Sequence, residues 1–157
     1  MRQIRTGVWE LSASAGGARH YRTVHGTDTE AAFALAVFAA ETTGRFEDLE
    51  TLVAAYLNHL EDQSRNTLTL RRYRQLWHQW LSPTLTTTRL EKISRDQLEQ
   101  ALAAMAHAGQ SPSSVHQAAV LLSGCLAWAH RGGYSGSNPA FALRLPDGRT
   151  LAPPRRR

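Results

Sequence analysis

The stretch Arg65-Asn66-Thr67-Leu68-Thr69-Leu70-Arg71-Arg72-Tyr73-Arg74-Gln75-Leu76-Trp77-His78-Gln79-Trp80-Leu81 decides how the second half of this chain folds. It opens on polar capping residues and contains no carboxylate. At about 100° per residue, Leu70, Tyr73, Trp77, Trp80 and Leu81 fall on one side of a helix, while Arg71, Arg74, Gln75, His78 and Gln79 spread over the other. One face is core and the other is free to meet an anion. Pro83 is expected to break this helix, with residues 84–93 a connection of little internal pattern.

The segments around it are helical as well. Leu52, Val53, Tyr56, Leu57 and Leu60 make an amphipathic stripe ahead of it. Ser94-Arg95-Asp96-Gln97 caps a later helix that turns Leu98, Leu102 and Met105 inward and ends at Gly109. Ser111, with Pro112 at the first position, starts another that runs to about Arg131 before Gly132-Gly133. This last helix is apolar nearly all round from Val115 to Ala129 and should be central. Its polar residues gather at its start: Ser111, Ser113, Ser114, His116 and Gln117. Free amide N–H groups and a partial positive charge at such an end suit a phosphate oxygen. The Ser111 hydroxyl can serve equally as a cap or as a ligand contact, whereas Ser94 reads first as a cap. Asn138-Pro139-Ala140 begins a short turn, and residues 146–157 read as a basic, Pro- and Arg-rich linker or tail.

Upstream the pattern changes to strands. Val8-Trp9-Glu10-Leu11-Ser12-Ala13 alternates, Ala15-Gly16-Gly17 signals a turn, and Arg19-His20-Tyr21-Arg22-Thr23-Val24 resumes a β-favouring run. A hairpin follows, with Ile4 and its neighbours as an edge strand. Trp9 and Leu11 point inward and Val8, Glu10 and Ser12 outward; the facing of the return strand is open from sequence. Thr27-Asp28-Thr29-Glu30 is a capping box for an alanine-rich helix closed by Gly44. So small a sheet cannot stand alone, and this helix must cover one face of it. Residues 45–50 read as an acidic connector. The fold class is therefore α+β: a small antiparallel sheet with one helix in residues 1–44, then an all-α bundle of four to five helices in residues 45–145.

Charge is distributed unevenly over these parts. Residues 1–27 carry +3, residues 28–63 carry −7, residues 64–81 carry +4, residues 111–145 carry +2 and residues 146–157 carry +3, within a net +5. Two basic regions and a basic tail thus flank acidic sequence, and local fields of this kind govern polyanion binding more than the net charge does. Seventeen of the eighteen cationic residues are arginine, with Lys92 the exception. Arginine offers bidentate contacts to phosphate and guanine.

Other chemistries find little support. No apolar run is long enough to span a bilayer, and no secretory signal opens the chain, so a cytoplasmic location without membrane contact is expected. The single Cys125 sits in an apolar helical run, which rules out an internal disulfide. No two of the seven histidines stand three or four residues apart, the spacing that places two ligands on one helical face. Neither a phosphate-binding loop, a nucleophile elbow nor an H-E-x-x-H motif occurs. No metal, cofactor or small-molecule substrate is expected.

Thr69-Leu70-Arg71-Arg72-Tyr73, then Ser111-Pro112-Ser113-Ser114-Val115, then Asn138-Pro139-Ala140, in this order and spacing, resemble the core-binding domain (a SAM-like helical bundle) of tyrosine recombinases, the phage-integrase family. Gly7-Val8-Trp9-Glu10-Leu11 through Thr23-Val24-His25-Gly26-Thr27, followed by the alanine-rich helix, look like the small arm-type DNA-binding domain that precedes it in many integrases. The resemblance covers roughly residues 4–145. It implies double-stranded DNA as partner, with further integrase subunits possible on the DNA, in DNA integration and recombination. For the sheet domain it implies DNA contacts by Arg2, Arg5, Arg19, Tyr21 and Arg22. For the bundle it implies Asn66, Arg71, Arg72, Arg74 and Gln75 on one helix and Ser111, Ser113, Ser114, His116 and Gln117 on another, the last two departing from the basic residues expected there.

The family's catalytic domain would lie beyond residue 157, so the chain by itself is expected to bind DNA without cutting it. The other reading is a stand-alone regulator or repressor that uses the same domains to occupy DNA.

Overall fold

In a computed structural model of the chain, described for residues 1–63, 66–86 and 88–152, the fold is α+β and divides into two compact units, Met1–Phe46 and Glu47–Arg157. The first unit is an antiparallel sheet of order β1-β2-β3, with β1 at Arg2–Arg5, β2 at Val8–Ala15 and β3 at Ala18–His25, followed by helix α1 at Asp28–Thr43. Gly16 and Gly17 both take positive φ, 58° and 82°, as the two-residue hairpin joining β2 to β3 requires. The capping box of α1 forms as its sequence implies: Glu30 N–H donates to Thr27 Oγ1, while Thr27 N–H donates to the Glu30 carboxylate at 2.8 Å. Gly44 closes the helix in the left-handed conformation.

Cross-strand register resolves the facing of β3. Trp9 pairs with Val24, Leu11 with Arg22 and Ala13 with His20, and cross-strand partners share a face. Leu11, Ala13 and Phe38 form the buried core here, with Trp9, Val24, Ala34, Leu35 and Ala39 against it, so α1 covers this face. Glu10, Ser12 and Ser14 lie on the opposite face with their partners Thr23, Tyr21 and Arg19. Val8 departs from the outward placement read from alternation: it is buried, flanked in register by Arg5 and His25.

The second unit is helical. Helix α2 spans Leu49–Asp62, so the acidic segment at 45–50 is no free connector beyond Glu47. Asp48 is the N-cap of α2, its carboxylate accepting from Thr51 N–H at 2.8 Å, and Leu49 is fully buried. The acids therefore sit at a helix N-terminus, where the macrodipole favours them.

Helix α3 spans Thr67–Leu76, but Pro83 does not end it. A π turn at Trp77–Leu81 follows, and a further turn, α4 at Ser82–Leu85, carries Pro83 within it. Ser82 N–H reaches back five residues to the Trp77 carbonyl. The wide turn stands just ahead of Pro83, whose ring in a regular helix would meet the carbonyl four residues back. Leu76, Trp77, Leu81 and Leu85 are buried, whereas Trp80, placed inward by a uniform period, is only half-buried.

Residues 88–93 include a 3-10 turn at Leu90–Lys92 and are tied to the start of α2 by Leu90 N–H donating to Glu47 O at 2.9 Å. Helices α5 at Arg95–His107 and α6 at Pro112–Arg131 complete the bundle. Buried positions of α6 run from Ser114 to Ala129 on all but a narrow strip, as a central helix requires. Burying each of its leucines contributes roughly 1.5–3 kcal/mol.

The stretch read as a linker from residue 146 is part of this unit as far as it is described. Leu145 N–H donates to Arg149 O and Leu151 N–H to Leu143 O, closing a small hairpin, and Leu143, Leu145 and Leu151 are buried. Its Pro-Arg end, residues 153–157, lies outside the described residues. No helix among the described residues is long and apolar enough to cross a membrane.

Candidate nucleic-acid interface

Two of the basic residues expected on the sheet, Arg2 and Arg19, together with Tyr21, lie away from α1. Arg19 and Tyr21 stand opposite Ser14 and Ser12, and Tyr21 is 61% exposed. Arg2, opposite Glu10, pairs with that carboxylate at 3.0 Å, and exposed Arg5 stands opposite Val8. Arg22 is on the other face. Its guanidinium lies 4.6 Å over the Phe38 ring and bonds the Glu41 carboxylate at 2.8 Å, a packing role against α1.

In the helical unit, α3 and the first turns of α6 come together through one side chain. Arg72 Nη2 donates to Ser114 Oγ at 2.7 Å, Nη1 to Gln75 Oε1 at 2.8 Å, and Nε to Gln117 Oε1 at 3.4 Å, a longer and weaker bond. Arg72, Gln75, Ser114 and Gln117 thus form a single network. Ser111 joins it, its Oγ 3.0 Å from Ser114 Oγ and accepting from Ser114 N–H at 3.2 Å, so its hydroxyl is the N-cap of α6. Ser114 is buried and faces Arg72, whereas Ser113 and His116 are exposed. Asn66 is likewise a cap: its Oδ1 accepts from Leu68 N–H at 2.9 Å.

The arginines sort by partner. Arg74 bonds Glu61 of α2 at 2.7 Å, a contact the acid-free stretch around it does not announce because the carboxylate comes from another helix. Arg71 and Arg72 have no carboxylate partner among the described residues, nor do Arg5 and Arg19. Arg72 is held entirely by neutral groups, so its charge is oriented without being neutralised. Exposed pairs such as Arg2–Glu10 and Arg74–Glu61 are worth about 0–1 kcal/mol, weak enough for an incoming phosphate to replace the carboxylate.

Tyr56, His59 and Tyr134 gather around Trp128, with ring centroids 5.7, 5.4 and 5.2 Å from it. Tyr73 is half-buried on α3. Burial pushes the Cys125 thiol far up, out of reach of ionisation near neutrality. Among the described residues no three His, Cys, Asp or Glu side chains converge to hold a metal ion.

Sequence reasoning missed the bridging role of Arg72, which demands knowledge of how two helices pack, and the exposure of Leu68, which is 70% accessible at the first turn of α3. No protein-family model, curated protein or solved structure matches this chain.

Proposed function

We propose that this chain binds double-stranded DNA through two surfaces: the face of the sheet turned away from α1, and the side of the bundle where α3 meets the start of α6. The observation that carries this reading is the pairing pattern at the second surface. Arg71 and Arg72 lack a carboxylate among the described residues, and the hydroxyl and amide groups around Arg72 are neutral hydrogen-bonding partners suited to a nucleic-acid backbone. The resemblance to the arm-type and core-binding domains of tyrosine recombinases supports the same assignment and adds a role in DNA integration and recombination. In this reading the chain performs no strand cleavage itself; a stand-alone regulator that occupies DNA is the other form the same binding takes.

Hydroxyl-radical footprinting of the full chain tests it. Arg19→Glu should erase protection over one DNA segment and Arg71→Glu over another. Loss of both segments in either variant would replace two surfaces with one composite surface. Incubation with a suicide substrate containing the bound site should leave no covalent protein–DNA adduct, and an adduct would overturn the non-catalytic assignment.

A further inference from the structure

A guanidinium has five N–H donors and no acceptor, so an amide that lies against it must present its oxygen. Arg72 imposes this on two glutamines at once, meeting Gln75 Oε1 from Nη1 at 2.8 Å and Gln117 Oε1 from Nε at 3.4 Å. With each oxygen held toward the cation, the amide nitrogen of neither glutamine has a hydrogen-bond partner among the described residues, which leaves it available as a donor. Gln75 is exposed and Gln117 half-buried, on neighbouring helices of the surface assigned above to DNA. Exposed Arg71, also a donor only, adjoins Arg72 on α3.

We infer that Arg72 is a positioning residue for base specificity: it occupies the amide oxygens of Gln75 and Gln117, leaves their nitrogens as the readier groups for a base, and so favours guanine over adenine and cytosine at this surface. The inference rests on the DNA reading. A free glutamine recognises adenine with both ends of its amide, the oxygen accepting from N6–H and the nitrogen donating to N7. An oxygen already bound to a cation competes poorly for the first of these bonds. Guanine presents O6 and N7 in the major groove, both acceptors, whereas the exposed amino groups of adenine and cytosine meet a donor face unfavourably. Arg72 itself, committed to Ser114 and both glutamines, acts through them and need not touch a base.

Selection of binding sites from a randomised duplex library by the full chain, at one fixed salt concentration, tests this. The wild-type protein should select guanine at the positions contacted by this surface, with about tenfold preference over adenine. Gln75→Met, at an exposed position that should leave folding intact, should lose the preference at one position. Arg72→Met, which keeps the aliphatic stem but releases both amide oxygens, should admit adenine there. Sites selected by wild type whose base preferences are unchanged in Gln75→Met and in Gln117→Met would overturn the inference while leaving DNA binding in place, because the amides would then serve phosphates only. Failure of the wild-type protein to retain any duplex at low salt would overturn the DNA reading and the inference with it.

Discussion

Arg72 on α3 and Ser114 on α6 are joined by a 2.7 Å hydrogen bond between a partly buried guanidinium and a buried hydroxyl. Removing the guanidinium leaves Ser114 without its main partner and frees two amides. Arg72→Ala should therefore destabilise the fold by about 1–3 kcal/mol, read as a lower urea midpoint, besides weakening DNA binding. Arg71→Ala should weaken DNA binding with stability unchanged to within about 0.5 kcal/mol, since nothing in the described structure depends on its charge. Equal stability loss in both variants would contradict this division of labour.

Ser111 caps α6 through Ser114 N–H at 3.2 Å. Ser111→Ala should cost about 1 kcal/mol of stability and leave the salt dependence of DNA binding unchanged. A changed salt slope without a stability loss would make the hydroxyl a DNA contact instead of a cap.

Glu61 restrains Arg74 through an exposed 2.7 Å ion pair. Glu61→Gln should change stability by less than about 1 kcal/mol. It should strengthen duplex binding by removing a negative charge beside the α3 surface, measured as a lower dissociation constant at low salt. Weaker binding would mean that Glu61 orients Arg74 for the DNA rather than competing with it.

Backbone and then side-chain hydrogen bonds from Thr27 hold the Glu30 carboxyl below its ordinary value of 4.5. A carboxyl with a lowered folded-state value binds its proton less tightly folded than unfolded, so its stabilising contribution is complete above 4.5 and is lost as pH falls through the folded value. The melting-temperature gap between wild type and Glu30→Ala should be largest near neutral pH and shrink as the pH falls below 4.5. A gap that widens in acid would contradict the sign.

Leu151 is buried in a segment whose composition reads as a linker. Leu151→Ala should destabilise the bundle by about 2 kcal/mol, the lower end of the range for a buried leucine near a chain end. No change in stability would restore the linker reading.

The parts of this fold that sequence makes legible are those set by local chemistry. Thr27 with Glu30, and Ser94 with Gln97, form capping boxes because the interacting groups are three residues apart, and Gly16-Gly17 forms a hairpin because only glycine takes both positive φ values easily. The central position of α6 follows from its all-round apolar surface. Non-local facts are not legible in this way. The π turn at Trp77–Leu81 changes the helical period ahead of Pro83, so a uniform period misplaces Trp80. The facing of β3 depends on register, which puts Arg22 against α1 and Arg19 and Tyr21 opposite. Ser114, which Arg72 bonds, and Glu61, which Arg74 bonds, lie on other helices, 42 and 13 residues away. Leu143 and Leu151 pair across a turn whose Pro- and Arg-rich surroundings conceal it.

In the proposed function, unneutralised arginines on these surfaces bind the phosphates of duplex DNA. The most direct measurement is the dissociation constant of the full chain for one duplex across a series of salt concentrations. With about five phosphates neutralised, log affinity should fall with log salt at a slope of about −4 to −5. A slope near zero, or no binding at low salt, would contradict the account.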